Sequence, residues 1–174
     1  MRLKEISAKN YRTLQDIVIH FSPDYCTLSG KNNAGKSCVI RLLCHLMEPQ
    51  HRFWRHQEYP LDYGEDRTQW AKGEDKVTIQ WKISLSASDD PALISTIEVF
   101  SGQKTSGDEV EINITIQLDD GSTTTNVSVN GEELEDRASR EIVSKLRSSN
   151  CMFLHNSAEH EGPIFLSRQG RRQT

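Results

Sequence analysis

The sequence has no pattern typical of a membrane protein, a secreted protein or a zinc-binding protein. No apolar run approaches the ~18 residues that a transmembrane helix needs, and residues 1–5 lack the apolar segment of a signal peptide. The four cysteines form no C-x-x-C pair, and no Cys/His cluster has zinc-finger spacing. We therefore expect a cytoplasmic protein with reduced cysteines and no membrane partner.

An excess of positive charge is also missing. The chain carries 21 Lys and Arg against 25 Asp and Glu, for a formal net charge of −4. No global basic field indicates nucleic-acid binding, so any contact with DNA must come from a local patch. The hydrophobic content of 35% and the charged content of 26% are ordinary for a soluble domain, and 174 residues are enough for one core.

One motif dominates the functional interpretation. The chain matches the phosphate-binding pattern G-x-x-x-x-G-K-[ST] with Gly30-Lys31-Asn32-Asn33-Ala34-Gly35-Lys36-Ser37. Residues 25–29, just before it, are typical of a short buried strand, and residues 36–47 have the apolar spacing of an amphipathic helix. Strand, glycine loop and helix form the context that this motif requires, so the sequence predicts a nucleotide-binding site.

The chemistry of this loop follows from its residue types. Gly30 and Gly35 let the backbone curl so that successive N–H groups point at an anion, and the following helix adds the positive end of its dipole. We expect the Lys36 ammonium to act catalytically on the β- and γ-phosphates, and the Ser37 hydroxyl to hold Mg²⁺. The nucleotide contacts predicted at the loop are Gly30, Lys31, Asn32, Asn33, Ala34, Gly35, Lys36, Ser37 and Cys38.

Most of the remaining chain predicts an antiparallel sheet, with a loop at residues 48–60 and a short helix or turn near 91–95. Alternating apolar residues predict strands at 3–9, 16–21, 76–85, 96–100, 109–118, 123–129 and 150–154, and an amphipathic helix at 135–147. The predicted fold class is therefore α/β, with an antiparallel β-meander beside the strand–loop–helix unit. This order disfavours small kinases and Ras-like GTPases, in which parallel βα units follow the loop directly.

The first part of the chain also carries a longer pattern. Its segments are Lys9-Asn10-Tyr11-Arg12, Ile17-Val18-Ile19-His20-Phe21 and Gly30-Lys31-Asn32. With this pattern, residues 3–37 resemble the opening of SMC-like ATPases, a class that includes RecF, the OLD nucleases and the SMC-like double-strand-break repair ATPase. Those proteins share an N-F/Y-R strand end, an amphipathic strand and the loop G-x-N-x-x-G-K-S. The resemblance implies a P-loop NTPase fold, specifically the first lobe of an ABC-type ATPase head.

The resemblance also implies cofactors and partners. In that family two heads sandwich two ATP molecules, and the phosphate loop of one head faces the signature motif of the other. We therefore expect ATP and Mg²⁺ as cofactors, a second head in a homodimer, and contact with DNA. Arg12 corresponds to the family arginine that lies near the nucleotide, although a surface arginine at a strand end is an equal alternative.

Several motifs of the family are missing from the sequence. Neither a Walker B run ending in Asp-Glu, nor a signature motif, nor a switch histidine is found. Asp119-Asp120 is better explained as a hairpin turn, because Gly121 follows it. Where the family has a Q-loop glutamine, His155 and Asn156 follow the last predicted strand. They are candidate nucleotide contacts or ordinary loop residues, and Gln169 is the other Q-loop candidate.

Together these patterns predict that residues 1–174 form the N-terminal lobe of a longer ATPase. ATP hydrolysis, once a second lobe and a second head complete the site, would drive head engagement on DNA in repair or anti-phage defence. The chain alone is expected to be inactive. The alternative is a regulatory ATP-binding switch that gates a partner nuclease or effector with little turnover, and a stand-alone P-loop kinase is disfavoured by the meander.

Overall fold

The computed structural model describes residues 1–31, 34–49, 61–72, 75–102, 104–105, 107–149 and 151–152. The strands are β1 (Arg2–Tyr11), β2 (Leu14–His20), β3 (Glu48–Pro49), β4 (Val77–Ser86), β5 (Glu109–Asp119), β6 (Ser122–Val129), β7 (Glu132–Glu133) and β8 (Cys151–Met152). The helices are α1 (Lys36–Leu46), α2 (Tyr63–Asp66), α3 (Pro91–Ser101) and α4 (Asp136–Ser149). Within these ranges, no helix has the length and apolar character needed to cross a membrane.

Six strands form one antiparallel sheet in the order β2-β1-β4-β5-β6-β7. A two-residue turn, Arg12-Thr13, joins β1 to β2. The hairpins β5–β6 and β6–β7 turn at Gly121 and Gly131, as the Asp-Gly and Asn-Gly pairs of the sequence predict. The predicted antiparallel meander is therefore confirmed, and its first hairpin ends on the side of the sheet where the glycine loop lies.

The core lies between this sheet and the helices. Successive side chains of a strand point to opposite faces, so every second residue of β4 and β5 is buried while its neighbours are polar. Helix α4 covers the buried face with Ile142 and Leu146 and contacts α1, α3 and β6. The buried apolar residues of β4 and β5 are Val77, Ile79, Trp81, Ile83, Leu85, Val110, Ile112, Ile114, Ile116 and Leu118.

A second, parallel pair of strands follows the helix that the glycine loop begins. Helix α1 leads into β3, which pairs with β8 from the end of the described chain. The prediction of a loop over residues 48–60 is wrong for its first two residues, because Glu48 and Pro49 pair with Cys151 and Met152. The strand predicted at 150–154 is confirmed for Cys151–Met152, and residues 50–60 and 153–154 lie outside the described ranges.

The strand predicted at residues 96–100 is wrong, because helix α3 runs without a break from Pro91 to Ser101. Proline at the first position favours the start of a helix. Leu93, Ile94 and Ile97 are buried at helical spacing against the sheet. The short apolar run at 96–100 therefore continues an amphipathic helix, and tertiary packing decides between two patterns that a short segment cannot distinguish.

The buried strand predicted at residues 25–29 is also wrong. This segment has no regular secondary structure, and its residues are exposed. The side chain of Tyr25 is 81% exposed and that of Leu28 is 45% exposed. A strand needs a neighbour to pair its backbone N–H and C=O groups, and no described strand lies beside this segment. The apolar residues expected of a buried strand are present, but no described strand forms backbone hydrogen bonds with this segment.

Candidate nucleotide-binding site

The glycine loop joins helix α1 at Gly35, and only glycine fits there. Its φ of 85° lies in the left-handed region that side chains disfavour. A Cβ at this position would lie 2.5 Å from Leu14 Cδ2 and 3.2 Å from Thr13 Oγ1. The helix therefore begins at Lys36 beside the hairpin turn of β1 and β2, and the turn leaves no room for a side chain at Gly35.

The side chain of Lys36 turns back over the loop. Its ammonium donates hydrogen bonds to the carbonyl oxygens of Gly30, at 2.6 Å, and Lys31, at 2.7 Å. Helix α1 has no side-chain cap and no acidic residue in its first turn. Its first amide groups and the ammonium therefore supply positive charge at one place, which is the arrangement that binds a phosphate at a helix N-terminus.

The β1–β2 turn forms one wall of this site. Thr13 Oγ1 lies 3.4 Å from the sulfur of Cys38, in the first turn of α1. Arg12 precedes Thr13 and has a φ of 49°, a left-handed conformation that is uncommon for a residue with a side chain. Such a conformation persists when surrounding contacts hold it, so the partners of Arg12 bear on the site.

Asp66, at the end of α2, holds Arg12 in that conformation. Its carboxylate Oδ1 accepts a hydrogen bond of 2.5 Å from Arg12 Nε, and its backbone oxygen accepts one of 2.7 Å from the Arg12 amide. Arg41 of α1 places Nη2 at 3.7 Å from the same Oδ1. Asp66 is fully buried, so this carboxylate joins the hairpin turn to the helix of the phosphate loop.

The titration of the neighbouring groups reflects this buried charge. Burial, followed by the negative charge of Asp66, raises the pKa of the Tyr11 hydroxyl far above its ordinary value. For Arg12, burial acts to lower the pKa, but the hydrogen bond that Arg12 donates to Asp66 and the negative charge of Asp66 act together against burial, so the pKa is raised. Tyr11 therefore stays neutral and Arg12 stays charged across the physiological pH range.

The sequence of the chain matches a known protein family over most of its length. A family model described as an AAA ATPase domain matches residues 1–161. The chain belongs to the AAA ATPase domain family. Membership of an ATPase family implies ATP and typically Mg²⁺. None of the curated proteins compared with the chain matches it.

Solved structures show the fold of this AAA ATPase domain. One comes from work on the ATP-driven dimerization and DNA-stimulated activation of SMC ATPases, with 12% identity, a TM-score of 0.50, and coverage of 84% of this chain and 80% of that one. An SMC head bound to the C-winged helix domain of ScpA has 12% identity, a TM-score of 0.50, and coverage of 83% and 39%. RecF bound to ATP has 18% identity, a TM-score of 0.47, and coverage of 81% and 30%.

These likenesses confirm the predicted resemblance to SMC-like ATPases and the predicted fold class, a P-loop ABC-type head with an antiparallel sheet. At identities this low they establish the fold alone. The AAA ATPase domain spans less than half the length of the RecF chain and of the ScpA-bound SMC head. The activity and partners of a complete protein are therefore matters for proposal.

The groups that could hold Mg²⁺ are few. The described ranges contain no cluster of three or more His, Cys, Asp or Glu residues suited to a metal ion. Ser37 follows Lys36 in the first turn of α1 and has an exposed side chain. A hydroxyl there fits a Mg²⁺ ion that takes its other ligands from nucleotide phosphates and water, which is the usual manner in which Mg²⁺ is bound.

The structure describes most of the predicted site. The turn that contains Arg12 contacts the start of α1 at Gly35 and Cys38. The described residues of the predicted loop and helix start are Gly30, Lys31, Ala34, Gly35, Lys36, Ser37 and Cys38. Asn32, Asn33, His155 and Asn156 lie outside the described residues. Asp119 ends β5 before the turn at Gly121 and pairs with Lys76 at 2.9 Å, so the predicted turn at Asp119-Asp120 is confirmed.

Sequence reasoning missed Asp66 and Arg41. Asp62 caps α2 by accepting a hydrogen bond from the Glu65 amide, and an acidic residue before a short helix is a visible signal. Nothing in the local sequence indicates, however, that Asp66 is buried or that it faces Arg12, which lies 54 positions earlier. That contact depends on how the segment after residue 60 packs against the end of β1.

Proposed function

We propose that this AAA ATPase domain is the ATP-binding N-terminal lobe of an ABC-type ATPase head. The observation that carries the proposal is the junction of the loop with α1, where a left-handed glycine, an ammonium group and uncapped helix amides converge. This junction favours the phosphates of a nucleotide, because the helix dipole and Lys36 both supply positive charge. Family membership supports ATP as that nucleotide and Mg²⁺ as its metal.

Each residue of the junction has its own role in this proposal. Lys36 exchanges the carbonyl oxygens of Gly30 and Lys31 for oxygens of the β- and γ-phosphates and so offsets their charge. The backbone amides that follow Gly35 orient the same phosphates. Ser37 offers its hydroxyl to Mg²⁺, which when bound stabilises the charge on the phosphates.

Hydrolysis requires groups that the sequence lacks. We propose that a second lobe supplies the general base and that a second head, in a homodimer, supplies the signature residues. The SMC relative supports this proposal, because its structure concerns ATP-driven dimerization. In this scheme ATP holds two heads together and hydrolysis releases them.

We further propose that the engaged heads act on DNA, in repair or in anti-phage defence, in the cytoplasm. Support comes from the same SMC relative, whose structure concerns DNA-stimulated activation. The net charge of −4 means that DNA contacts come from local sites. Lys104, exposed after α3, is one candidate, whereas Arg52 and Arg55 lie outside the described residues.

A regulatory ATP-binding switch is the second candidate. The loop–helix junction supports it as well, because that junction accounts for ATP binding without requiring turnover. In this role the ATP-bound state would gate a partner nuclease or effector. Measured turnover by the protein with its second lobe separates the two candidates.

The Lys36→Ala substitution tests the ATP site. We expect ATP affinity to fall at least about tenfold, because charge-assisted hydrogen bonds to the phosphates are lost. The thermal midpoint should move little, because the Lys36 side chain is not part of the core. Lys145→Ala, on the exposed side of α4, is the matched control and should leave ATP affinity unchanged. Unchanged affinity in a folded Lys36→Ala protein would reject the proposed site.

A further inference from the structure

The buried carboxylate of Asp66 lies outside the glycine loop and binds Arg12, which lies in the turn beside that loop. We propose that Asp66 is a positioning residue, which holds Arg12 at the edge of the phosphate loop so that the free end of its guanidinium faces the nucleotide phosphates. The proposal rests on the proposed function, because it needs a nucleotide at that loop. It adds a residue from the segment after residue 60 to a site that the motif places in residues 30–37.

Asp66 is itself held rigidly. Its Oδ2 accepts a hydrogen bond of 3.0 Å from the Asp62 amide, and its own amide donates one of 2.8 Å to the Asp62 carbonyl. Its backbone oxygen accepts the Arg12 amide at 2.7 Å. These bonds fix the residue at three points, and Oδ1 contacts the guanidinium groups of Arg12 and Arg41.

Arg12 offers only part of its guanidinium to Asp66. The atom bonded to Oδ1 is Nε, and the two terminal amino groups form no hydrogen bond with any residue that the structure describes. The guanidinium fork has donors on two edges, so one edge can bind the carboxylate while the other binds a phosphate. About a third of the Arg12 side chain is exposed, which leaves that second edge accessible.

The turn that contains Arg12 lies beside the loop. The next residue, Thr13, contacts Cys38, and the residue after it, Leu14, lies against Gly35. Lys36 and Ser37, the two predicted phosphate and Mg²⁺ contacts, lie between Gly35 and Cys38 in the sequence. Arg12 therefore lies in the turn that forms the wall of the phosphate site, next to the residue that contacts Cys38, and its hydrogen bond to Asp66 restrains the side chain.

Arg41 extends this link to the helix that begins at the loop. Its Nη2 lies 3.7 Å from Asp66 Oδ1, so one carboxylate interacts with two guanidinium groups. The group of three carries a net positive charge next to the phosphate loop. An anion that binds there adds a partner to Arg12 without leaving the buried carboxylate unpaired, because Arg41 remains beside it.

A double-mutant cycle on the 174-residue chain tests the proposal. The proteins are wild type, Asp66→Asn, Arg12→Ala and the double variant, and the measurement is the dissociation constant for ATP with Mg²⁺ at a temperature where each is folded. We expect each single variant to weaken ATP binding about tenfold and the double variant to be no weaker than Arg12→Ala. Effects that multiply in the double variant, or normal affinity in folded Asp66→Asn, overturn the proposal.

Two further variants separate positioning from stability and from charge. Asp90→Asn removes a carboxylate that pairs with the N-terminal ammonium at the opposite end of β1, and it should lower the thermal midpoint without changing ATP affinity. Arg12→Lys keeps the charge but lacks the fork that binds carboxylate and phosphate together, so it should bind ATP as weakly as Arg12→Ala. Wild-type affinity in Arg12→Lys overturns the proposal even if Asp66→Asn does not fold.

The Lys36→Ala variant shows which proposal has failed. If Lys36→Ala binds ATP normally, the proposed function is rejected, and the role of Asp66 at a nucleotide site is rejected with it. If Lys36→Ala loses ATP while Arg12→Ala and Asp66→Asn bind it normally, the ATP site stands and only the role of Asp66 is rejected.

Discussion

Gly35 is the residue through which the loop, the helix and the first hairpin meet. Its left-handed φ lets the chain turn from the loop into α1, and the absence of a side chain lets Leu14 lie against its Cα. These are separate requirements, one of backbone conformation and one of space. A substitution at Gly35 should therefore disturb both the phosphate loop and the packing of the hairpin turn.

The residue-scale prediction compares two glycines with the same backbone conformation. Gly121 has a φ of 86°, close to the 85° of Gly35, but a Cβ at Gly121 would have no atom within 4 Å. Gly121→Ala should lower the free energy of unfolding by roughly 1–3 kcal/mol through backbone strain alone. Gly35→Ala should cost more, because its Cβ would lie 2.5 Å from Leu14 Cδ2. Urea unfolding measures both.

ATP affinity provides the second measurement for this pair. Gly35→Ala should also weaken ATP binding, whereas Gly121→Ala should not, because Gly121 lies in the β5–β6 turn. Equal losses of stability in the two variants would show that the contact between Gly35 and Leu14 is absent in solution.

The sequence predicts this part of the site well because the motif is local. Gly30 to Ser37 are consecutive, and their spacing alone specifies a turn and a helix start. Asp66 and Arg41 could not be predicted, because a buried ion pair between distant segments leaves no periodic signal. Tyr25 shows the opposite error, since an apolar pattern predicts burial that the described residues do not provide.

Among the elements, the sequence predicts long periodic segments more accurately than the short segments at residues 25–29 and 96–100. Helix α1 was expected at residues 36–47 and is found at Lys36–Leu46, and β4 and β5 differ from their predicted bounds by a single residue at one or both ends. Alternation of apolar and polar residues over about ten residues indicates a β-strand with one buried face. The five apolar-rich residues at 96–100 fit a strand or a helix, and only the packing of α3 against β4 and α4 decides.

At the element scale, we predict that α4 stabilises the fold through one buried face. Ile142 is 1% exposed, so Ile142→Ala should lower the free energy of unfolding by roughly 2–5 kcal/mol through lost burial and the cavity that remains. Lys145→Ala, on the exposed side of the same helix, should change it by less than about 0.5 kcal/mol. Urea unfolding of both variants checks this. A loss below about 1 kcal/mol for Ile142→Ala would contradict the packing of α4 on the sheet.

As a whole, the described chain is a sheet covered by helices on one face, with the candidate nucleotide site at its edge. The phosphate loop is exposed at Gly30, Lys31 and Ala34, and the apolar residues Tyr25 and Leu28 just before it are exposed as well. Among the described residues, the β1–β2 turn forms the wall of the candidate site, and the groups proposed to complete it come from a second lobe and a second head.

At this scale we predict that the 174-residue chain binds ATP but does not turn it over. Without a Walker B acid, hydrolysis by the chain alone should fall far below ~1 s⁻¹, the lower end of typical enzyme turnover. Phosphate release with and without the second lobe measures this. Turnover near 1 s⁻¹ by the 174-residue chain would show that its own residues include the general base.

The central claim is that the loop–helix junction binds the phosphates of ATP, and amide NMR of the wild-type chain tests it most directly. On titration with Mg²⁺ and ATP, we expect the largest shifts at the amides of residues 34–38, with smaller shifts at Arg12 and Thr13. Adenosine, which lacks phosphates, should leave the amides of residues 34–38 unshifted. Saturable ATP binding that leaves these amides unmoved, or shifts them equally with adenosine, would contradict the claim.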